Sequence, residues 1–195
     1  MPALEKIAYN LGERSEVPNQ VLAKELSETE DNVGIQEIAN YLYDKNQSIA
    51  SDCIKVMYEI GYLKPELITK YVDDFIHLLD SKANRMVWGA MIALSTIAPL
   101  IPEKIHPALP KIRNHIETGT VITNVSGVRT LIRMAGTGEP YYSELVDEIL
   151  VLQKECRNTD FAKRAEEMAP VIKGSDIVQF TRILEERYIH LSKNA

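Results

Sequence analysis

Cysteine is scarce in this sequence: two residues, Cys53 and Cys156, among 195. Two thiols so far apart make no disulfide framework, and a reducing compartment, the cytosol, is the expected setting. Glycine and proline number nine each and aromatics reach 7%, which excludes collagen-like and low-complexity chains. No apolar run approaches the roughly 20 residues of a membrane span. The opening stretch, MPALEKIAYNLGERSE, carries charge where a secretory signal has its apolar segment, so export is not expected. Basic charge is short as well: 22 Lys and Arg stand against 28 Asp and Glu, a net charge of −6. Nucleic acid is therefore a disfavoured partner, because phosphate backbones bind largely through neutralising cations.

The usual carriers of chemistry are also missing. His77, His106, His115 and His190 form no i, i+4 metal pair, and neither Cys-x-x-Cys nor His-Glu-x-x-His occurs. No catalytic residue, cofactor site or metal site is expected. Gly136-Thr137-Gly138 follows one helical run and precedes another with no strand beside it, so it reads as a helix stop and not a phosphate loop. No Gly-x-Ser-x-Gly elbow is present. Adjacent carboxylates such as Asp73-Asp74 and Glu185-Glu186 point about 100° apart on a helix, the habit of a solvated face. Cys53 falls among apolar helix positions, which favours a buried, inert thiol.

What the sequence has is helical periodicity from end to end. In 48–61, Ala50, Cys53, Ile54, Met57 and Ile60 share a face at 100° per residue; in 65–80, Ile68, Val72, Phe75, Ile76 and Leu79 do the same. Pro18, Pro65, Pro102 and Pro140 open runs, where a missing N–H costs nothing. Gly61, Gly119, Gly138 and Gly174 follow runs as stops, and Thr120, Thr159 and Ser175 are placed to cap starts. An all-α chain is expected.

Shifting the sequence by 37 residues superimposes its apolar columns. Ile54 lands on Met91 and Val128, Met57 on Leu94 and Leu131, Ile60 on Ile97 and Met134. In the second helix of each unit, Val72 lands on Leu109 and Val146, and Phe75 on Ile112 and Ile149. Cys53, Ala90 and Gly127 form a column of small residues, as do Gly61, Ala98 and Ala135. A two-helix unit cannot bury its apolar face alone, so such units must stack. One repeat domain over 1–195 is expected, with antiparallel pairs near 17–46, 47–81, 82–118, 119–157 and 158–195 and a capping helix over 2–13. The opening helix of the first pair, 17–28, fits the columns poorly, so Leu22 is expected to matter less than Leu94.

The stretches SIASDCIKVMYEIGYLKPELITKYVDDFIHLLD and NRMVWGAMIALSTIAPLIPEKIHPALPKIRNHI resemble HEAT-type repeats, in first-helix spacing, in the small Ala90 and in a proline opening the second helix. Pro107 and Pro110 within the second helix of the third unit fit the same pattern. The resemblance implies a right-handed α-α superhelix, a HEAT-like solenoid whose second helices line the concave side. It assigns no catalytic residue.

Opposite the buried face centred on Val72, the second helices present a stripe. It runs Val33, Glu37, Asn40; Lys70, Asp74, His77; Pro107, Lys111, Asn114; Glu144, Glu148, Val151, with Asp44, Asp73 and Asp147 alongside. It is acidic with two lysines set into it. The plain alternative is the wet side of five helices, but a concave groove is where such folds bind extended partners. The expected function is a non-enzymatic module or scaffold that binds a protein or peptide, preferably a basic helix or tail. Its contact residues would be Glu37, Asn40, Lys70, Asp74, His77, Lys111, Asn114, Glu144 and Glu148; oligomeric state stays open. The alternative is a HEAT-like DNA alkylpurine glycosylase. That family requires tryptophans, an aspartate and an arginine in a basic groove, whereas Trp88 lies on a first helix and the stripe is acidic. A chromophore lyase-type HEAT protein finds no motif here.

Overall fold

The computed structural model describes residues 2–193, with side chains through Ile189, so His190 lies outside the described side chains. The helices come in pairs: α1 (Val17–Thr29) and α2 (Asn32–Asn40); α3 (Gln47–Leu63) and a 3-10 stretch, Pro65–Tyr71, running into α4 (Val72–Leu78). Next come α5 (Asn84–Ile97), then α6 (Pro102–Ile105), a 3-10 turn at His106–Ala108 and α7 (Leu109–Thr118). Last are α8 (Val121–Ala135) with α9 (Tyr141–Glu155), and α10 (Asn158–Met168) with α11 (Asp176–Lys193). No strand occurs among the described residues.

Local chemistry sets the boundaries. Asp31 accepts from the amides of Val33 and Gly34 to start α2, and Thr120 accepts from the Thr123 amide to start α8. Glu30, left-handed at φ 51°, closes α1, and Gly138 and Gly174 take left-handed backbone beyond α8 and α10. Pro107 and Pro110 lack the donors a continuous helix requires, so the second helix of the third pair breaks into α6, a 3-10 turn and α7.

Three expectations are corrected. Residues 2–13 form no capping α-helix: a 3-10 turn at Ala3–Lys6 is followed by turns. Three of its backbone donors find side-chain acceptors on the neighbouring helices. Ala3 N donates to Glu37 Oε2 (2.8 Å), Ala8 N to Asn19 Oδ1 (2.9 Å) and Tyr9 N to Asp52 Oδ2 (2.7 Å). The segment still caps, since Ala3, Ile7 and Ala8 are buried. Gly61 does not end α3 but lies inside it, where an added Cβ would collide with Thr96 of α5. Thr159 caps nothing, because α10 starts a residue earlier behind Arg157.

First helices pack on first helices, α1 on α3, α3 on α5, α5 on α8 and α8 on α10. Second elements lie over the seams: Pro65–Tyr71 touches both α3 and α5, α4 packs on α5, and α7 on α8. The columns define the resulting core. Ile54, Met91, Val128, Met57, Leu94 and Leu131 are all fully buried. Helices approach most closely at small residues: a Cβ on Gly89 would stand 2.7 Å from Ile54 Cγ1, and one on Gly127 2.6 Å from Ile116 Cγ1. The opening pair obeys the same rule without a 3-10 stretch ahead of α2 like the one at Pro65–Tyr71. Leu22, Ala23 and Leu26 are buried against α3 although Leu22 misses the 37-residue register, landing on Glu59.

Polar clamps span this layer. Glu16, just before α1, accepts from Arg85 on α5 and pairs with Lys55 Nζ on α3 at 3.1 Å. Arg129 on α8 holds Glu167 on α10 bidentately, with Nη2 to Oε1 at 2.7 Å and Nε to both oxygens at 3.0 Å. The Arg85 hydrogen bond, aided by Lys55 and opposed by burial, holds the Glu16 carboxyl below its ordinary value of 4.5.

Two outcomes follow for stability. Leu94→Ala should cost about 2–5 kcal/mol in urea unfolding, and Leu22→Ala should fall in the same range because its side chain is equally enclosed. A loss below about 1 kcal/mol at both sites would contradict the column assignment. A depressed folded-state carboxyl contributes stability above its unfolded pKa and loses it as pH falls through the folded value. Glu16→Gln should therefore lower stability at neutral pH and flatten its decline below pH 4.5. An acid limb identical to that of the parent protein would refute the clamp.

Candidate interaction face

The sequence stripe lies on the second elements, and its exposure repeats from pair to pair. Val33, Lys70, Pro107 and Glu144 are exposed; so are Asn40, His77, Asn114 and Val151. Between these rows runs a half-buried one: Glu37, Asp74, Lys111 and Glu148. A fourth row, Gln36, Asp73, Pro110 and Asp147, is exposed along its length. A helix with one buried side and a spacing of three and four produces this banding.

The half-buried row is where neighbouring pairs are stitched together, each residue reaching the preceding segment. Glu37 accepts from Ala3 N. Asp74 Oδ1 accepts from the Tyr43 hydroxyl at 3.1 Å. Lys111 Nζ donates to Asp80 Oδ2 (2.6 Å) and Ile76 O (3.4 Å). Glu148 receives Arg113 bidentately, with Nε to Oε1 at 3.1 Å, Nε to Oε2 at 3.0 Å and Nη2 to Oε2 at 2.8 Å. Glu144 is engaged too, by His106 Nε2 at 2.7 Å and Arg113 Nη2 at 3.9 Å. Much of the expected free acidity of Glu144 and Glu148 is thus spent on Arg113 and His106. Sequence reasoning passed over Arg113. Its signal is a charge in a column otherwise apolar, Ile76, Arg113 and Leu150.

The electrostatics follow from these rungs. The Lys111 hydrogen bond holds the Asp80 carboxyl below its usual range, and the Glu148 hydrogen bond raises Arg113. Burial, reinforced by Asp74, pushes the Tyr43 phenol up. Asp74 has no cation at ion-pair distance, and Asp73 and Asp147 have neither ion-pair nor hydrogen-bond partners among the described residues. Lys70 Nζ lies 5.0 Å from the centre of the Tyr71 ring. His77 meets the Tyr43 ring edge-on at 5.8 Å. The first two pairs therefore keep more unspent acid than the third and fourth.

Reactive groups are muted. Cys53 is fully buried and burial, joined by nearby carboxylates, pushes its thiol well up; Cys156 is buried too, and burial raises its thiol against the opposing pull of Arg164 and Arg187. His115 Nε2 bonds the Leu79 carbonyl at 2.9 Å. No three His, Cys, Asp or Glu side chains gather as a metal site among the described residues, and none of the described helices is long and apolar enough to cross a membrane. Trp88 stays on the first-helix side, beside Tyr58 at 6.0 Å and under Arg85 at 5.1 Å.

No protein-family model and no curated protein matches the sequence. Solved structures do match in fold. One is a designed armadillo repeat protein in complex with the peptide (KR)4, with TM-score 0.61 and 17% identity over 94% of this chain and 85% of that one. Another is an engineered protein from the Northeast Structural Genomics Consortium, with TM-score 0.60 and 18% identity over the same shares. The fold is an all-α helical-repeat solenoid, similar to these structures.

Proposed function

We propose that the chain is a non-enzymatic binding module that takes an extended basic segment of a partner protein along its second-helix face. The observation that carries this reading is the exposed row 36, 73, 110 and 147, where Asp73 and Asp147 stand without counter-charge beside the half-buried acids. An extended peptide can meet the same row once per unit, which is how a repeat surface turns weak contacts into affinity. Carboxylates gathered along a groove raise the local concentration of cationic partners and speed their encounter. The designed armadillo protein of like fold carries a peptide of alternating lysine and arginine, which supports a basic ligand here. Asn40, His77 and Asn114 then supply neutral hydrogen-bonding groups, and Lys70 and Lys111 set where a basic side chain is refused. Acting in the cytosol belongs to the same proposal, with no membrane or nucleic-acid partner.

Labelled (KR)4 provides the test. Changing Asp73, Asp74 and Asp147 together to Lys removes charge without touching the Arg113–Glu148 rung. Asp73 and Asp147 are exposed and contribute under about 1 kcal/mol each to folding. Half-buried Asp74 also gives up its bond from the Tyr43 hydroxyl, worth about 1 kcal/mol, so unfolding should shift only modestly. Peptide binding should weaken at least about tenfold, mainly through the on-rate, and the difference should shrink with salt as screening sets in. Equal on-rates for the triple variant and the parent protein at low salt would reduce the stripe to a solvated face.

A further inference from the structure

A second polar constellation lies on the first-helix side, away from the stripe. Arg129 and Arg133 stand one turn apart on α8, a like-charge spacing that is unfavourable on a helix. Glu167 is the carboxylate within reach, and Arg129 claims both its oxygens. Arg133 is left with a neutral acceptor, the Ser95 carbonyl, 2.8 Å from Nη1. It has no carboxylate at ion-pair distance among the described residues. Burial, and then the like charge of Arg129, lowers its pKa, whereas the Glu167 bond holds Arg129 up against burial.

Arg133 lines a groove of about 600 Å³ together with Glu167, whose carboxylate Arg129 holds, and with Pro99, Ile132, Pro170 and Val171 as its apolar wall. Tyr62, half exposed at the end of α3, follows Gly61, which packs on Thr96 of α5 beside the Ser95 carbonyl that Arg133 holds, and its hydroxyl bonds nothing among the described residues. Tyr62, Pro99 and Gly136 are related by the 37-residue repeat. One feature of the fold thus delivers a row of helix ends beside a half-buried guanidinium. A guanidinium at an apolar wall gains more from a carboxylate than one in open water does, through charge-assisted and bidentate bonds.

We infer that the ends of α3, α5, α8 and α10 form a second binding surface, which takes an acidic segment of a partner protein by seating a carboxylate on Arg133 beside Tyr62. Charge complementarity selects this occupant: with Glu167 taken by Arg129, the groove keeps one unspent cation in an apolar frame, and Tyr62 adds an unbonded hydroxyl from the end of α3. The net charge of −6 repels acidic chains at large, so attraction has to come from this local site.

The test uses fluorescein-labelled (EA)4 and its uncharged counterpart (QA)4, with anisotropy read at low salt. The parent protein should bind (EA)4 and prefer it clearly to (QA)4. Arg133→Met should weaken (EA)4 about tenfold, the worth of one hydrogen bond to a charged group. Tyr62→Phe, an exposed change that leaves packing intact, should weaken it about threefold, as loss of a neutral donor does. Asp73→Asn should leave (EA)4 binding unchanged, which separates this surface from the basic-peptide face. Equal binding of the two peptides, no (EA)4 binding up to about 1 mM, or indifference to both substitutions would overturn the inference. Should Arg133→Met fail to fold, Tyr62→Phe decides alone.

Discussion

A helix pair of this length has more apolar surface than it can cover by itself, and everything else follows from the need to lend that surface to a neighbour. The first helices of successive pairs carry the loan. Where they touch, side chains must be short: Gly89 lets Ile54 in and Gly61 admits Thr96, while Gly127 likewise seats Ile116 of the second helix α7. Such contacts fix the distance between pairs, and that distance fixes the spacing of whatever the second elements show to solvent. Burial drives the stacking, and small residues decide its pitch.

The second elements then carry two tasks at once. Their half-buried row closes polar rungs between pairs, as Lys111 does with Asp80 and Arg113 with Glu148. Their exposed rows remain available. Pairwise, exposed ion pairs contribute little, but a rung in every seam orients each unit on the one before it. The acid left unspent concentrates on Asp73, Asp74 and Asp147, so the face differs along its length even though its geometry repeats. The first-helix side carries the opposite imbalance at Arg133, left without a carboxylate because Arg129 takes both oxygens of Glu167.

Most of the stacking was legible in the sequence, because burial is a collective property that a column of Ile54, Met91 and Val128 reports directly. The banding of the second helices was legible for the same reason. What escaped was set by single partners distant in the chain. The segment 2–13 has helical spacing, yet Glu37, Asn19 and Asp52 intercept its amides. Gly61 has the look of a helix stop, and only the position of Thr96 shows it to be a site of close approach. Leu22 misses the 37-residue register because the first pair lacks the 3-10 stretch that Pro65–Tyr71 supplies to the second, and no column can reveal a register change at the end of an array. The charge state of the stripe depended on Arg113, which lies in a column otherwise made of Ile76 and Leu150.

Amide hydrogen exchange on the chain with and without (KR)4 tests the central claim most directly, because it maps the bound face without altering a residue. Binding along the second elements predicts added protection at 32–44, 65–78 and 141–151, with the first helices α3, α5 and α8 unchanged. Protection confined to the first helices, or none at saturating peptide, would contradict it.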